Sequence, residues 1–304
     1  MKPIILATAA FLPMSALQAA VTTYVADFDA AATGTAVPSP FVENGGGTNN
    51  SSIEDKGDGD KVLRQTVTAT SNGSTASSAN TTASIPFSDL GGTTNRDFVV
   101  STTFKITTNS ILNNSTGASS TTFNFSIGVL GSDANLGSGS RYMLTYTILS
   151  AGGNQPTGSL SITDNGASSA DGFSTVTGST RFTAGSPATQ AGTRSTTNNA
   201  VTLDTFYTMT LTGMYNAGVL TLTGSLTGGA GSALTVAVAD TSPRTGTNFG
   251  VRTAVNVIGN TGVNAVGDLT TEIDSFSVAV PEPSGLALAG LGLGALALRR
   301  SRKG

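Results

Sequence analysis

Short runs of alternating apolar and polar residues recur along this chain, divided by clusters of Gly, Ser, Asn and Asp. No stretch carries sustained helical periodicity with caps at its ends. Successive side chains of a strand point to opposite faces, whereas a helix repeats every 3.6 residues. A run with Phe98, Val100, Thr102, Phe104 and Ile106 in phase therefore makes one buried edge of a strand. The pattern predicts an all-β fold, an antiparallel β-sandwich with each sheet apolar inward and polar outward.

Read in order, the expected strands are 23–29, 61–68, 98–107, 121–130, 142–149, 159–163, 206–212, 219–223, 234–239, 248–255 and 272–280, about eleven. Leu63, Gln65 and Val67 share one face, opposite Val62, Arg64 and Thr66. Phe123, Phe125, Ile127 and Val129 share another, opposite Asn124, Ser126 and Gly128. A hairpin is expected through 213–218, where Asn216 and Gly218 suit positions with φ > 0. Long polar loops are expected at 69–82, 108–120, 164–180 and 183–200, and their composition predicts mobility. A parallel β-helix is the main competing architecture, and the absence of a fixed period counts against it. Residues 21–279 are read as one domain, within the size an all-β sandwich reaches.

Both ends read as addresses. Residues 1–20 combine Lys2, an apolar stretch from Ile4 to Leu17 and small residues at Ala19 and Ala20, the pattern of a secretory signal peptide. Residues 280–304 hold three parts in order: a rigid Val280-Pro281-Glu282-Pro283-Ser284, a fourteen-residue apolar run at 285–298, and a basic tail of Arg299, Arg300, Arg302 and Lys303 at 299–303. As a helix the apolar run spans about 21 Å, short of a hydrocarbon core of roughly 30 Å. The basic tail would hold the C-terminus in the cytoplasm. This is a stop-transfer segment, a short C-terminal transmembrane helix suited to temporary anchoring. It closely resembles the PEP-CTERM sorting signal of Gram-negative, biofilm-forming bacteria. That resemblance implies export, transient inner-membrane insertion, processing near Pro281–Pro283 by an exosortase-type membrane protease, and delivery to the cell surface or extracellular matrix.

Composition removes whole classes of chemistry. The chain has no His and no Cys. Imidazole bases, thiolate nucleophiles, disulfides and Cys-bound metals are therefore excluded. Outside the two ends, ten basic residues face seventeen acidic ones, a balance near −7. Nucleic-acid binding needs Lys and Arg to neutralise phosphates, so no nucleic-acid partner is expected.

The body resembles the concanavalin A-like, or laminin G-like, jelly roll. The resemblance rests on Asp27-Phe28-Asp29 near the start and Gly59-Asp60-Lys61-Val62-Leu63-Arg64 after it. It rests also on a late hairpin at 206–226, with Phe206 where many relatives carry Trp, and on Ile273-Asp274-Ser275-Phe276 near the end. It implies that the first and last strands are neighbours, bringing Asp27 and Asp274 into one region. A structural calcium near Asp27 or Asp274 is what that resemblance allows; no other cofactor is expected.

Candidate chemistry is sparse. Lectin-like glucanases use an E-x-D-x-x-E strand, and the one Glu-x-Asp here, Glu272-Ile273-Asp274, lacks the second Glu. Asp55, Asp58 and Asp60 are spaced like hard-oxygen ligands but not like an EF-hand, and read as an acidic turn. There is no Trp; of the five Tyr, Tyr215 is the ring expected to be exposed, while Tyr24, Tyr142, Tyr146 and Tyr207 suit core or edge packing. The expectation is a non-enzymatic surface or matrix protein, structural or adhesive, associated with extracellular polysaccharide or biofilm. The alternatives are a carbohydrate-binding lectin-like module with a defined glycan, and a secreted glycoside hydrolase.

Overall fold

The structure is a computed structural model. It describes residues 21–34, 37–45, 50–57, 59–72, 76–86, 97–107, 118–134, 136, 139–151, 157–165, 203–229, 233–241, 243–259 and 264–281. The chain divides into two units, Thr22–Val280 and the pair of end segments Met1–Val21 and Pro281–Gly304. The signal-peptide segment 1–20, the apolar run 285–298 and Glu282, Pro283, Ser284, Arg299, Arg300, Arg302 and Lys303 lie outside the described residues. Among the described residues, no helix is long and apolar enough to cross a membrane.

Fourteen strands are described: β1 Val21–Ala26, β2 Val42–Gly45, β3 Asn50–Gly57, β4 Asp60–Asn72, β5 Ala76–Pro86, β6 Phe98–Ile106, β7 Ala118–Gly131, β8 Arg141–Ala151, β9 Thr157–Asn165, β10 Phe206–Asn216, β11 Val219–Gly228, β12 Leu234–Asp240, β13 Asn248–Gly259 and β14 Asn264–Pro281. Eight form one sheet in the order β12-β11-β10-β6-β14-β4-β3, with β1 on β14; six form the other in the order β2-β5-β13-β7-β8-β9. The first and last strands are thus neighbours.

Alternation builds the core. Phe98, Val100, Thr102, Phe104 and Ile106 are all buried along β6, as are Phe123, Phe125, Ile127 and Val129 along β7. Phe104 stacks on Phe125 of the facing sheet with centroids 3.8 Å apart, and Phe98 meets Phe249 edge-on at 5.5 Å. A polar seam crosses this core. Thr253 Oγ1 donates to Gln65 Oε1 at 2.7 Å and lies 2.7 Å from Thr271 Oγ1. Gln65 Nε2 donates to Ser51 Oγ, which is 3.1 Å from Thr81 Oγ1.

Four expectations change. Strands β2, β3 and β5 were not legible, and the loop expected at 69–82 is mostly strand: β4 runs on to Asn72 and β5 begins at Ala76. The run Ala76–Pro86 is small and polar, so its strand character comes from the ladder to β13, which pairs it from Ile258↔Ala76 to Asn248↔Pro86. The hairpin is tighter than expected. β10 and β11 pair through Asn216↔Val219, leaving a two-residue turn with Ala217 at φ 49° and Gly218 at φ 84°. These angles are those of a type I′ turn, whose twist matches the strands. Finally, the six-stranded sheet is not wet on its outer face at its centre: Thr82, Asn124, Ser126 and Arg252 are buried there. Leu136, in the β7–β8 connection, closes over Gly128, where a Cβ would sit 2.9 Å from its Cδ1. The expected mobile loops beyond 107 and 165 fall largely outside the described residues.

Candidate functional site

At one end of the sandwich, the β7–β8 and β12–β13 connections enclose an open cleft of about 480 Å³. Ser132, Ser140, Arg244, Thr245, Gly246 and Thr247 line it with Pro243. Its floor is tied down by backbone. The Gly131 carbonyl accepts Thr247 N–H and Asn248 Nδ2, both at 3.0 Å. Leu130, next to that floor, is held at φ 51°. Such a conformation is sparsely populated for a side-chain-bearing residue and concentrates at functional sites.

Arg244 is the cleft's cation, and two buried groups fix it. Its main-chain N–H donates to Tyr142 Oη at 2.9 Å, and its Nε donates to Asp164 Oδ1 at 2.8 Å. Tyr142 sits opposite Asp164 in the β8–β9 ladder. Its hydroxyl donates to Asp240 at the end of β12. Burial, then the hydrogen bond to Asp240, push the Tyr142 phenol far above its ordinary range, so it stays a proton donor. The chain thus brings a strand tyrosine, two buried carboxylates and a loop arginine into one network across both sheets. Sequence reading missed this site. Tyr142, Asp164, Asp240 and Arg244 lie far apart in sequence and form no motif.

A second polar feature lies on the outer face of the eight-stranded sheet. Glu272 is buried and pairs with Lys105 Nζ at 3.0 Å and with Lys56 Nζ. Lys56 also pairs with Glu54 at 2.9 Å, and Arg64 pairs with Glu54 at 2.7 Å. Lys105 lies over the exposed Phe206 ring at 5.2 Å from its centroid. Glu54 and Glu272 therefore share one ammonium. Burial raises the Glu54 carboxyl, but hydrogen bonds and charge from Lys56 and Arg64 outweigh it and hold the group below its ordinary value. A general acid needs the opposite shift.

The structure brings Asp27 and Asp274 into one electrostatic neighbourhood. The Asp274 carboxyl is raised by burial and then by the charges of Asp60, Asp29 and Asp27, with Lys105 opposing. Phe28 is buried between the exposed Asp27 and Asp29. Asp29 Oδ1 accepts Lys61 N–H at 3.0 Å. Among the described residues, no group of three or more acidic side chains is arranged to hold a metal ion. Asp55 Oδ1 accepts Gly57 N–H at 2.8 Å, a local turn contact.

Tyr215 corrects an expectation. It belongs to β10 rather than to the turn and packs against the core, and its N–H donates to Asp97 Oδ1 at 2.7 Å. Burial, then the Asp240 charge, push its phenol up to about 12. Of the motif that closes the chain, Val280 is a buried core residue of β14 and Pro281 ends the strand.

Residues 279–303 match the PEP-CTERM protein-sorting motif. The motif implies an exported protein that an exosortase processes, sorted to the membrane or cell surface. The PEP-CTERM match begins inside β14, so the sorting segment follows the last core strand directly. No curated protein matches the sequence. Among solved structures the chain is similar to peanut lectin with a 9mer peptide, at 14% identity and TM-score 0.38, covering 86% of this chain and 98% of that one. It is also similar to the PL-14 alginate lyase from Aplysia kurodai, at 10% identity and TM-score 0.44, covering 82% and 98%. A third is the lectin from Bauhinia forficata in complex with GalNAc, at 12% identity and TM-score 0.39, covering 86% and 99%.

Proposed function

We propose that this chain is an exported cell-surface or extracellular-matrix protein with a non-enzymatic, adhesive or structural role, which meets extracellular polysaccharide at the Arg244 cleft. Residues 1–20 direct export, 285–298 hold the chain briefly in the inner membrane, and an exosortase-type protease cuts near Pro281–Pro283. The observation that carries the surface assignment is the PEP-CTERM match at 279–303.

The cleft supports the polysaccharide contact. Pockets of several hundred Å³ with a few convergent polar groups are common ligand sites, and this one joins four hydroxyl side chains to one arginine. The Glu54–Glu272 pair supports a non-enzymatic role. Glycosidases use two carboxylates with divergent proton affinities, whereas Lys56 neutralises both of these at once.

Mass spectrometry of the protein recovered from the cell surface tests the assignment. A mature C-terminus near residues 281–283 and a mature N-terminus at 20 or 21 are expected. A cytosolic protein with both ends intact overturns it. Incubation with a panel of polysaccharides, followed by reducing-end analysis, is expected to show retention without cleavage. Turnover that is lost in Glu272→Gln would instead establish the hydrolase.

A further inference from the structure

Resting on the reading of the cleft as a polysaccharide contact, we infer that Arg244 selects a carboxylate-bearing sugar. The side chain is pre-positioned: Asp164 takes its Nε and Tyr142 takes its main-chain N–H. Ligand binding therefore immobilises little that is not already fixed. Its described bonds use Nε and the main chain, which leaves the terminal nitrogens as the edge offered to the cleft. A guanidinium has donors only and matches the two oxygens of a carboxylate in a fork. The flanking Ser132, Ser140, Thr245 and Thr247 suit the ring hydroxyls of the same sugar. No carboxylate lines the cleft among the described residues, and Asp164 is wholly buried behind the arginine.

The rest of the surface sharpens the point. The body outside the two ends is near −7, so it repels a polyanion at long range. Binding of an acidic polymer must then come from local contacts.

The test uses the full chain, titrated calorimetrically with polygalacturonate, with its fully methyl-esterified form, and with neutral dextran. Tight binding of the acid form, at least ten-fold weaker binding of the ester, and a ten-fold or greater loss in Arg244→Gln are expected. Melting curves check that each variant is folded, and Thr245→Val, at an exposed cleft position, should weaken binding a few-fold without moving the melt. Equal binding of acid and ester overturns the carboxylate inference and leaves the polysaccharide reading standing. Binding of none of the three polymers overturns that reading itself. Displacement by millimolar inorganic phosphate as effective as by galacturonate would also overturn selection of a sugar carboxylate.

Discussion

Gln65 and Thr253 belong to opposite sheets, and Thr253 Oγ1 donates to Gln65 Oε1 at 2.7 Å in the middle of the core. Because that proton is committed, Thr271 must donate to Thr253 across their 2.7 Å contact. Both Gln65 and Thr253 are fully buried, so no water replaces a lost partner. Gln65→Leu strands hydroxyls on both sheets and should cost about 2–3 kcal/mol. Thr253→Val should cost about 1–2 kcal/mol, and the double variant less than the sum, since both remove one bond. Urea unfolding of the three variants checks this; additive losses would deny the bridge.

Gly246 allows the cleft to exist. A Cβ there would fall 2.2 Å from the Leu130 carbonyl oxygen and 2.4 Å from the Gly131 carbonyl carbon, both backbone atoms that cannot rotate aside. Gly246→Ala must therefore push the β12–β13 connection away from the end of β7. A loss of about 1–3 kcal/mol is expected. Polysaccharide binding should fall with it, because the Gly131–Thr247 hydrogen bond sits in the same turn. Thermal melts paired with affinity electrophoresis read both effects.

These two features mark the boundary of what the sequence shows. Strands such as β6 were legible because Phe98, Val100, Phe104 and Ile106 repeat with period two and all face the core. Strand β5 was not, because Ser77, Ser78, Asn80, Thr81 and Thr82 carry turn-like chemistry, and they are extended by pairing with β13 and, at Thr81 and Thr82, with β2. Gln65 stood in phase with Leu63 and Val67, yet its partner on β13 is 188 residues away. The Asp27–Asp274 neighbourhood was implied by the jelly-roll resemblance and not by the residues themselves; β1 lies on β14, and the Asp27 charge acts on Asp274. The Arg244 site was not. Its four parts come from β8, β9, β12 and the connection after β12, and only the register of two sheets assembles them.

Asp274 should make the fold less stable at neutral pH than it is in acid. Burial and the neighbouring Asp60, Asp29 and Asp27 raise its carboxyl in the folded state. The folded protein then holds this proton more tightly than the unfolded chain does. The group favours folding below its unfolded pKa and loses that contribution as pH rises through the raised one. Asp274→Asn should accordingly raise Tm at pH 7 by about 1–2 °C, with the gain fading as the pH drops below the carboxylate range. An equal gain at both pH values would assign the effect to packing instead.

At the other end of the pH scale, buried tyrosines should set the alkaline limit, Tyr142 and Tyr146 foremost. Tyr142 and Tyr146 are buried in the core, and burial raises both phenols well beyond their ordinary value. Hydrogen bonding to Asp240 adds to this at Tyr142, and the Tyr207 neighbour adds at Tyr146. Above about pH 10 the unfolded chain releases protons that the folded chain keeps. Stability then falls by about 1.4 kcal/mol per pH unit for each such tyrosine. Below pH 10 neither group makes stability depend on pH. Urea midpoints measured between pH 8 and pH 11.5 should stay level and then drop. Tyr142→Phe should make the drop shallower by one tyrosine's share, about 1.4 kcal/mol per pH unit, while removing the hydroxyl that partners Arg244 N–H and Asp240. Phenolate absorbance that rises in step with unfolding, rather than ahead of it, would identify these buried hydroxyls as the cause.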